Sequence, residues 1–133
     1  MGATSSEPRG AGISTNTHTH HAIDYIEITV TDIEAAKAFY ASAFGWSLVD
    51  YGPEYAGIQG DGKEAGGLRL DSEVRAGGPL VLLYSEDLEQ TVEAVTAAGG
   101  TIVEPIYGFP GGRRFHFADP AGNELGVWTP APE

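Results

Sequence analysis

Twice in this chain an alternating apolar segment runs directly into an amphipathic helical pattern. In the first, "IDYIEITV", Ile26, Ile28 and Val30 alternate with Tyr25, Glu27 and Thr29, the period-two signature of a strand with one buried face. "TDIEAAKAFYASAFG" follows, with Ile33, Ala36, Tyr40 and Ala43 on one helical face, Thr31 and Glu34 at capping-box spacing and Gly45 as a stop. "PLVLLYSEDLEQTVEAVTAAGG" repeats the arrangement, with Leu88, Val92 and Val95 as its apolar stripe. An offset of 55 residues lays Asp87-Leu88-Glu89 over Asp32-Ile33-Glu34, Gly100 over Gly45 and Leu80 over Tyr25. Three short strand candidates trail each unit: "WSLVDY", "YAGIQ" and "GGLRLD" after the first, "TIVEPIY", "RRFHFAD" and "ELGVW" after the second. The chain therefore reads as an α+β protein of two βαβββ modules, about residues 22–73 and 78–130.

Composition bounds the rest. Residues 1–21 are rich in Ser, Thr, Gly and Asn, and are expected to form a disordered arm. Within it "HTHH", His18 to His21, is read as a polar tail that binds a metal ion only adventitiously, since a site needs ligands in fixed geometry. There is no cysteine, which excludes disulfides, thiolate catalysis and cysteine-ligated zinc. A net charge of −12 argues against nucleic-acid phosphates as a partner and suits a cationic ligand. No apolar run is long enough to span a bilayer, and no basic, then apolar start marks a signal peptide, so the expectation is no membrane partner and a cytoplasmic location. Neither a G-x-S-x-G elbow nor a phosphate loop occurs.

"DIEAAKAFYASAFGW" and "FHFADPAGNELGVW" resemble the glyoxalase, bleomycin-resistance and extradiol-dioxygenase group, the vicinal oxygen chelate superfamily, and the resemblance runs from about Ile23 to Pro130. It implies paired modules whose mixed sheets curve around a cavity, helices outside, and a homodimer as the assembly. A helix on one sheet face draws the apolar set of each strand towards it. The opposite set then faces the cavity as a small-molecule site: Tyr25, Glu27, Thr29, Arg114 and His116, joined through the 55-residue offset by Leu80, Leu82 and Tyr84.

The resemblance also implies where a divalent ion would be held: near the start of the first strand of each module and on the last strand of each. Those columns fall here on Tyr25, Leu80, Gly126 and the Gly66-Gly67-Leu68 stretch. Leucine and glycine offer no ligand atom and neutral tyrosine is a poor one, so no metal and no other cofactor is expected at them. A displaced divalent ion would draw on Glu27, Glu124 and His116. Beside these, "FPGGRRF" sets Arg113 and Arg114 next to glycines, as an anion cradle or simply a hairpin turn, and Trp46 and Trp128 either stack on a ligand or sit half-buried. The function expected is metal-free binding of a small molecule, with sequestration of a toxic or antibiotic-like compound as its role. The rival is a lyase or isomerase of the glyoxalase type with Glu27 or His116 as general base.

Overall fold

The computed structural model describes residues 18–132. Its elements run β1 (Ile23–Val30), α1 (Ile33–Phe44), β2 (Leu48–Asp50), β3 (Tyr55–Gln59), β4 (Glu64–Leu70), β5 (Leu80–Tyr84), α2 (Leu88–Ala97), β6 (Thr101–Phe109), β7 (Gly112–Ala118) and β8 (Glu124–Pro130). This is βαβββ twice. The eight strands form one curved, open sheet in the order β2-β3-β4-β1-β5-β8-β7-β6. In each half the first strand pairs in parallel with the last, β1 with β4 and β5 with β8, and the halves join where β1 pairs antiparallel with β5. No helix among the described residues is long and apolar enough to cross a membrane.

Each helix covers one half of the outer face. Ile28, Val30, Ala36 and Tyr40 pack around buried Ile33, Ala56, Ile58 and Leu68. Val92, Val95, Ile102 and Phe117 pack around buried Leu88, Phe115 and Val127. Every strand residue in these clusters comes from the apolar phase of its alternation, so the inner face keeps the other phase.

The repeat is strongest where each helix begins. Asp32 and Asp87 are both N-caps in extended conformation, and their carboxylates accept from the N–H of Ala35 and Gln90. The cap of α1 is thus Asp32 and not Thr31: the helix starts one residue later than capping-box spacing suggests, and a carboxylate accepts the free N–H more strongly than a hydroxyl. The helix ends diverge. Gly45 closes α1 in left-handed conformation at φ 71, whereas α2 ends earlier and its left-handed glycine is Gly99, at φ 101, not Gly100. Gly100 is needed for another reason, because a Cβ there would lie 2.7 Å from Val95 Cγ1.

The expected arm also changes at its end. His18 stacks on Tyr84 with ring centroids 4.7 Å apart and bonds Asp24 through Nδ1 at 2.7 Å. His20 Nδ1 accepts from the N–H of Glu86, and His21 Nε2 lies 2.9 Å from Thr91 Oγ1. The three histidines turn to different partners, His18 to Asp24 of β1, His20 to Glu86 and His21 to Thr91. Residues 1–17 of the expected arm lie outside the described residues.

Candidate functional site

A cavity of about 780 Å³ opens on the inner face of the sheet, walled by both halves. The first half supplies Tyr25 and Glu27 from β1, Tyr51, Glu54 and Tyr55 around β3, and Glu64 and Arg69 from β4. The second supplies Leu82, Phe109, Arg114 and Trp128.

Glu27 lies at the centre, 6% exposed. Its Oε2 accepts from the Tyr55 hydroxyl at 3.1 Å, and its Oε1 lies 3.4 Å from Arg114 Nη2 and 3.5 Å from Arg69 Nε. A buried carboxylate is tolerable only with such partners. Burial works against the Arg114 charge, but Glu27 and the Tyr107 hydroxyl outweigh it and hold the guanidinium above its ordinary range. Arg114 is also clamped between the rings of Tyr107 and Phe109, at 5.5 and 5.4 Å from their centroids.

Two branches leave Glu27. Towards the first half, the Tyr55 and Tyr25 hydroxyl oxygens lie 2.8 Å apart, Tyr25 donates to Glu64 Oε2 at 3.0 Å, and Tyr51 donates to Glu64 Oε1 at 2.7 Å. Burial first, then the neighbouring oxygens, pushes both Tyr25 and Tyr55 well above the ordinary phenol range. Towards the second half, Arg114 Nε donates to the Tyr107 hydroxyl, which lies 2.8 Å from His116 Nε2, while His116 Nδ1 bonds Glu124 at 2.8 Å. Glu124 is further held by Arg75 at 2.9 Å, and the His116 bond, reinforced by Arg75, keeps its carboxyl below the usual range. The arrangement that satisfies every group has His116 Nδ1–H donating to Glu124 and Nε2 accepting from Tyr107.

Of the residues expected at a site, Tyr25, Glu27, Leu82 and Arg114 line the cavity. Thr29, Leu80, Tyr84 and His116 do not, and each has a physical reason. Thr29 is buried one step farther along β1 from Glu27. Leu80 lies beneath Gly126, where a Cβ would come within 3.6 Å of it. Tyr84 is covered by His18 and meets Trp128 edge-on at 5.7 Å. His116 has both ring nitrogens engaged, so it offers no free base to the cavity.

Trp46 stacks on Tyr40 at 4.6 Å in the outer core, whereas Trp128 walls the cavity and donates Nε1–H to Asp24. Burial alone would raise the Asp24 carboxyl, but bonds from His18, Lys63 and Trp128 prevail and hold it low. Arg113 and Arg114 do not cradle a shared anion: as neighbours on β7 they point to opposite faces, and Arg113 pairs with Glu89 on the outside at 2.6 Å. Tyr51, Tyr55, Glu64, Arg69 and Tyr107 carry much of the network and were not singled out by the sequence. The glycine-rich β3 and β4 strands held the available signal, since glycine inside a strand marks a close approach. A Cβ on Gly57 would lie 2.0 Å from Glu64 Oε1, and one on Gly67 would lie 2.1 Å from the Tyr55 hydroxyl.

The residues at the family's metal columns do not fit a divalent ion. Tyr25 is committed to Tyr55 and Glu64, Leu80 is apolar, and Gly126 and Gly67 are held to glycine by Leu82 Cδ2 at 2.5 Å and by Tyr55. Glu27 faces two guanidiniums and joins Glu124 and His116 only through Arg114 and Tyr107, so the displaced ligand set is not assembled either. Among the described residues no three His, Asp or Glu side chains converge as ligands.

Known proteins agree with this architecture. The sequence profile of the Glyoxalase/Bleomycin resistance protein/Dioxygenase superfamily matches residues 22–127. "Putative glyoxylase CFP32" of Mycobacterium bovis and of Mycobacterium tuberculosis is 26% identical over 115 residues, covering 79% of this chain and 44% of the relative. The chain thus spans less than half the length of those curated relatives. The Mn(II)-bound glyoxalase of Novosphingobium aromaticivorans superposes with a TM-score of 0.59 at 26% identity, over 84% of this chain and 40% of that one. Methylmalonyl-CoA epimerase of Mycobacterium tuberculosis, 19% identical, superposes at 0.66 over 88% of this chain and 93% of that one, a likeness of fold. By sequence and by fold, the chain belongs to the glyoxalase/bleomycin resistance protein/dioxygenase superfamily.

Proposed function

We propose that this protein binds a small organic molecule in the cavity between its two halves, without a divalent ion at the family's ligand columns, and that sequestering such a compound is its role. The observation that carries the reading is the composition of the walls. Aromatic rings of Tyr25, Tyr51, Tyr55, Phe109 and Trp128 surround a few convergent polar groups in a volume that suits a drug-sized ligand. The polar groups are largely satisfied by one another, so they fix orientation and the rings supply contact area. A second copy of the chain belongs to the same reading: β2 and β6 are open sheet edges, and Phe39 and Phe44 are 56% and 64% exposed on α1.

The rival enzyme reading rests on Glu27, a carboxylate facing the cavity with the Tyr55 hydroxyl oxygen 3.1 Å away, an arrangement able to take a proton from a bound carbon or oxygen acid. His116 drops out of it, because Tyr107 and Glu124 occupy both ring nitrogens.

A ring-bearing fragment set titrated into chelator-treated protein tests the reading. Fragments should bind with the metal removed, and Glu27→Gln should weaken those that reach the polar centre by about 1–3 kcal/mol, the scale of a charge-assisted hydrogen bond. Native mass spectrometry should find no stoichiometric Zn, Ni, Mn or Fe. One tightly held ion per chain, with fragment binding lost on its removal, overturns the metal-free reading. Turnover of a bound compound, abolished by Glu27→Gln, would favour the enzyme.

A further inference from the structure

The two carboxylates that face each other across the phenols are not equivalent. Glu27 has Arg69 and Arg114 within 3.5 Å. Glu64 is met by neutral groups: the hydroxyls of Tyr25 and Tyr51, and the amide of Gln59 at 3.4 Å. The adjacent cation, Lys63, is turned away and spent on Asp24, which it bonds through a carboxylate oxygen at 2.8 Å and the backbone carbonyl at 2.7 Å. At one end of the cavity Glu27 meets two guanidiniums, of which Arg69 is shared with Asp71 at 3.1 Å, and at the other the half-buried Glu64 carboxylate meets no cation among the described residues.

Hydrogen counting sharpens the difference. From Glu64 through Tyr25 and Tyr55 to Glu27 there are three O···O contacts, of 3.0, 2.8 and 3.1 Å. Each contact closes as a hydrogen bond only with a hydrogen in it, and the chain holds two, one per phenol. With both carboxylates ionised, this floor is one hydrogen short. Burial keeps both phenols protonated, so neither changes the count.

The oxygens are nonetheless built into place. Gly57 and Gly67 exist where any Cβ would strike the Glu64 carboxylate or the Tyr55 hydroxyl, so both groups lie flat on the sheet at the base of the cavity. Around them stand the rings of Tyr25, Tyr51 and Tyr55. A surplus of acceptors, an unbalanced carboxylate and π-faces together match a nitrogen cation, which brings hydrogens, charge and an attraction to rings at once.

Resting on the small-molecule reading above, we propose that the Glu64–Tyr25–Tyr55 end of the cavity is a recognition subsite for a nitrogen cation carried on an aromatic ligand: an ammonium, a guanidinium or a protonated ring nitrogen. The Glu27–Arg69–Arg114 end takes the uncharged remainder of that ligand.

Three probes with one ring system separate the possibilities: 1-naphthylmethylammonium, 1-naphthylmethanol and 1-naphthoate, titrated into the full chain and followed by calorimetry. The ammonium should bind about tenfold or more tightly than the alcohol, with the carboxylate weakest. Glu64→Gln, which keeps the shape of the side chain and removes its charge, should erase the preference for the ammonium over the alcohol. Tyr51→Phe, at an exposed hydroxyl, should cut the preference by a smaller factor and guards against a Glu64 variant that fails to fold. Equal binding of ammonium and alcohol, tighter binding of the carboxylate, or a preference that survives Glu64→Gln would each overturn the subsite while leaving the cavity a binding site. If none of the three binds, the small-molecule reading falls and the subsite with it.

Discussion

The two halves share a frame and put opposite chemistry on it. Each begins with a strand that pairs in parallel with its own last strand, each starts its helix on an aspartate cap, and each buries a small aliphatic-aromatic cluster beneath that helix. On the inner face the likeness ends. The first half brings five of the cavity's tyrosines and glutamates within one hydrogen-bonded set: Tyr25, Glu27, Tyr51, Tyr55 and Glu64. The second brings apolar and aromatic walls and the guanidinium of Arg114, which reaches across to Glu27. Where the frame needs a residue the halves agree, and where a ligand would sit they do not. The Tyr25–Leu80 pair shows this most plainly, since equivalent strand positions carry a phenol at the cavity in the first half and a leucine buried beneath Gly126 in the second.

The comparison breaks most severely if a half can be emptied alone. Phe115 is fully buried in the second cluster, and Phe115→Ala should cost about 3–5 kcal/mol. Because β1 and β5 weld the halves into one sheet, denaturant unfolding should remain a single transition, with amides of β3 and β4 losing protection together with those of β7 and β8. Two separated transitions would show that the halves are independent.

Arg114→Met tests the ion pair that, among the described residues, joins a strand of one half to a strand of the other. It leaves Glu27 buried with Arg69 as its remaining cation, and should cost about 2–3 kcal/mol near neutral pH. Arg114→Lys, which keeps a positive charge but not the flat guanidinium, should recover part of that loss. No recovery would mean that Arg114 contributes packing between Tyr107 and Phe109 and little charge pairing.

The shared frame itself predicts equality. Asp32→Ala and Asp87→Ala each remove one N-cap and should each cost about 1 kcal/mol by thermal or urea unfolding. A several-fold difference would show that the caps only look alike.

The smallest effect concerns acid. Asp24 in the first half and Glu124 in the second both have folded carboxyls held below their unfolded values of 3.8 and 4.5. A depressed folded value contributes stability above the unfolded value, and that stability is lost as pH falls through the folded one. Asp24→Asn and Glu124→Gln should therefore flatten the decline in melting temperature below about pH 4.5.

Much of the frame was legible in the sequence because it rests on local rules. Alternation in "IDYIEITV", the helical stripe from Ile33 to Tyr40 and the Asp32–Asp87 correspondence each need only a few neighbouring residues to be read. The cavity was legible only in part. Tyr25, Glu27 and Arg114 stand in strongly alternating strands, so their face follows from the phase. Tyr55 and Glu64 stand in short, glycine-broken strands, and their meeting with Tyr25 depends on the register that sets β3 against β4 and β4 against β1. His116 follows a related rule. Alternation sets it in phase with Arg114, but nothing local shows that Tyr107, nine residues earlier, would occupy its ring nitrogen.

The proposed ligand site is shared by both halves and independent of a metal. Amide and tryptophan side-chain chemical shifts, followed while 1-naphthylmethanol is titrated into chelator-treated protein, test it most directly. Glu27, Tyr55 and Gly67 in the first half and Leu82, Arg114 and the Trp128 indole in the second should shift along one binding curve, with the helices unmoved. Shifts confined to one half or to the exposed aromatic face of α1, or binding that returns only when a divalent ion is added, would contradict it.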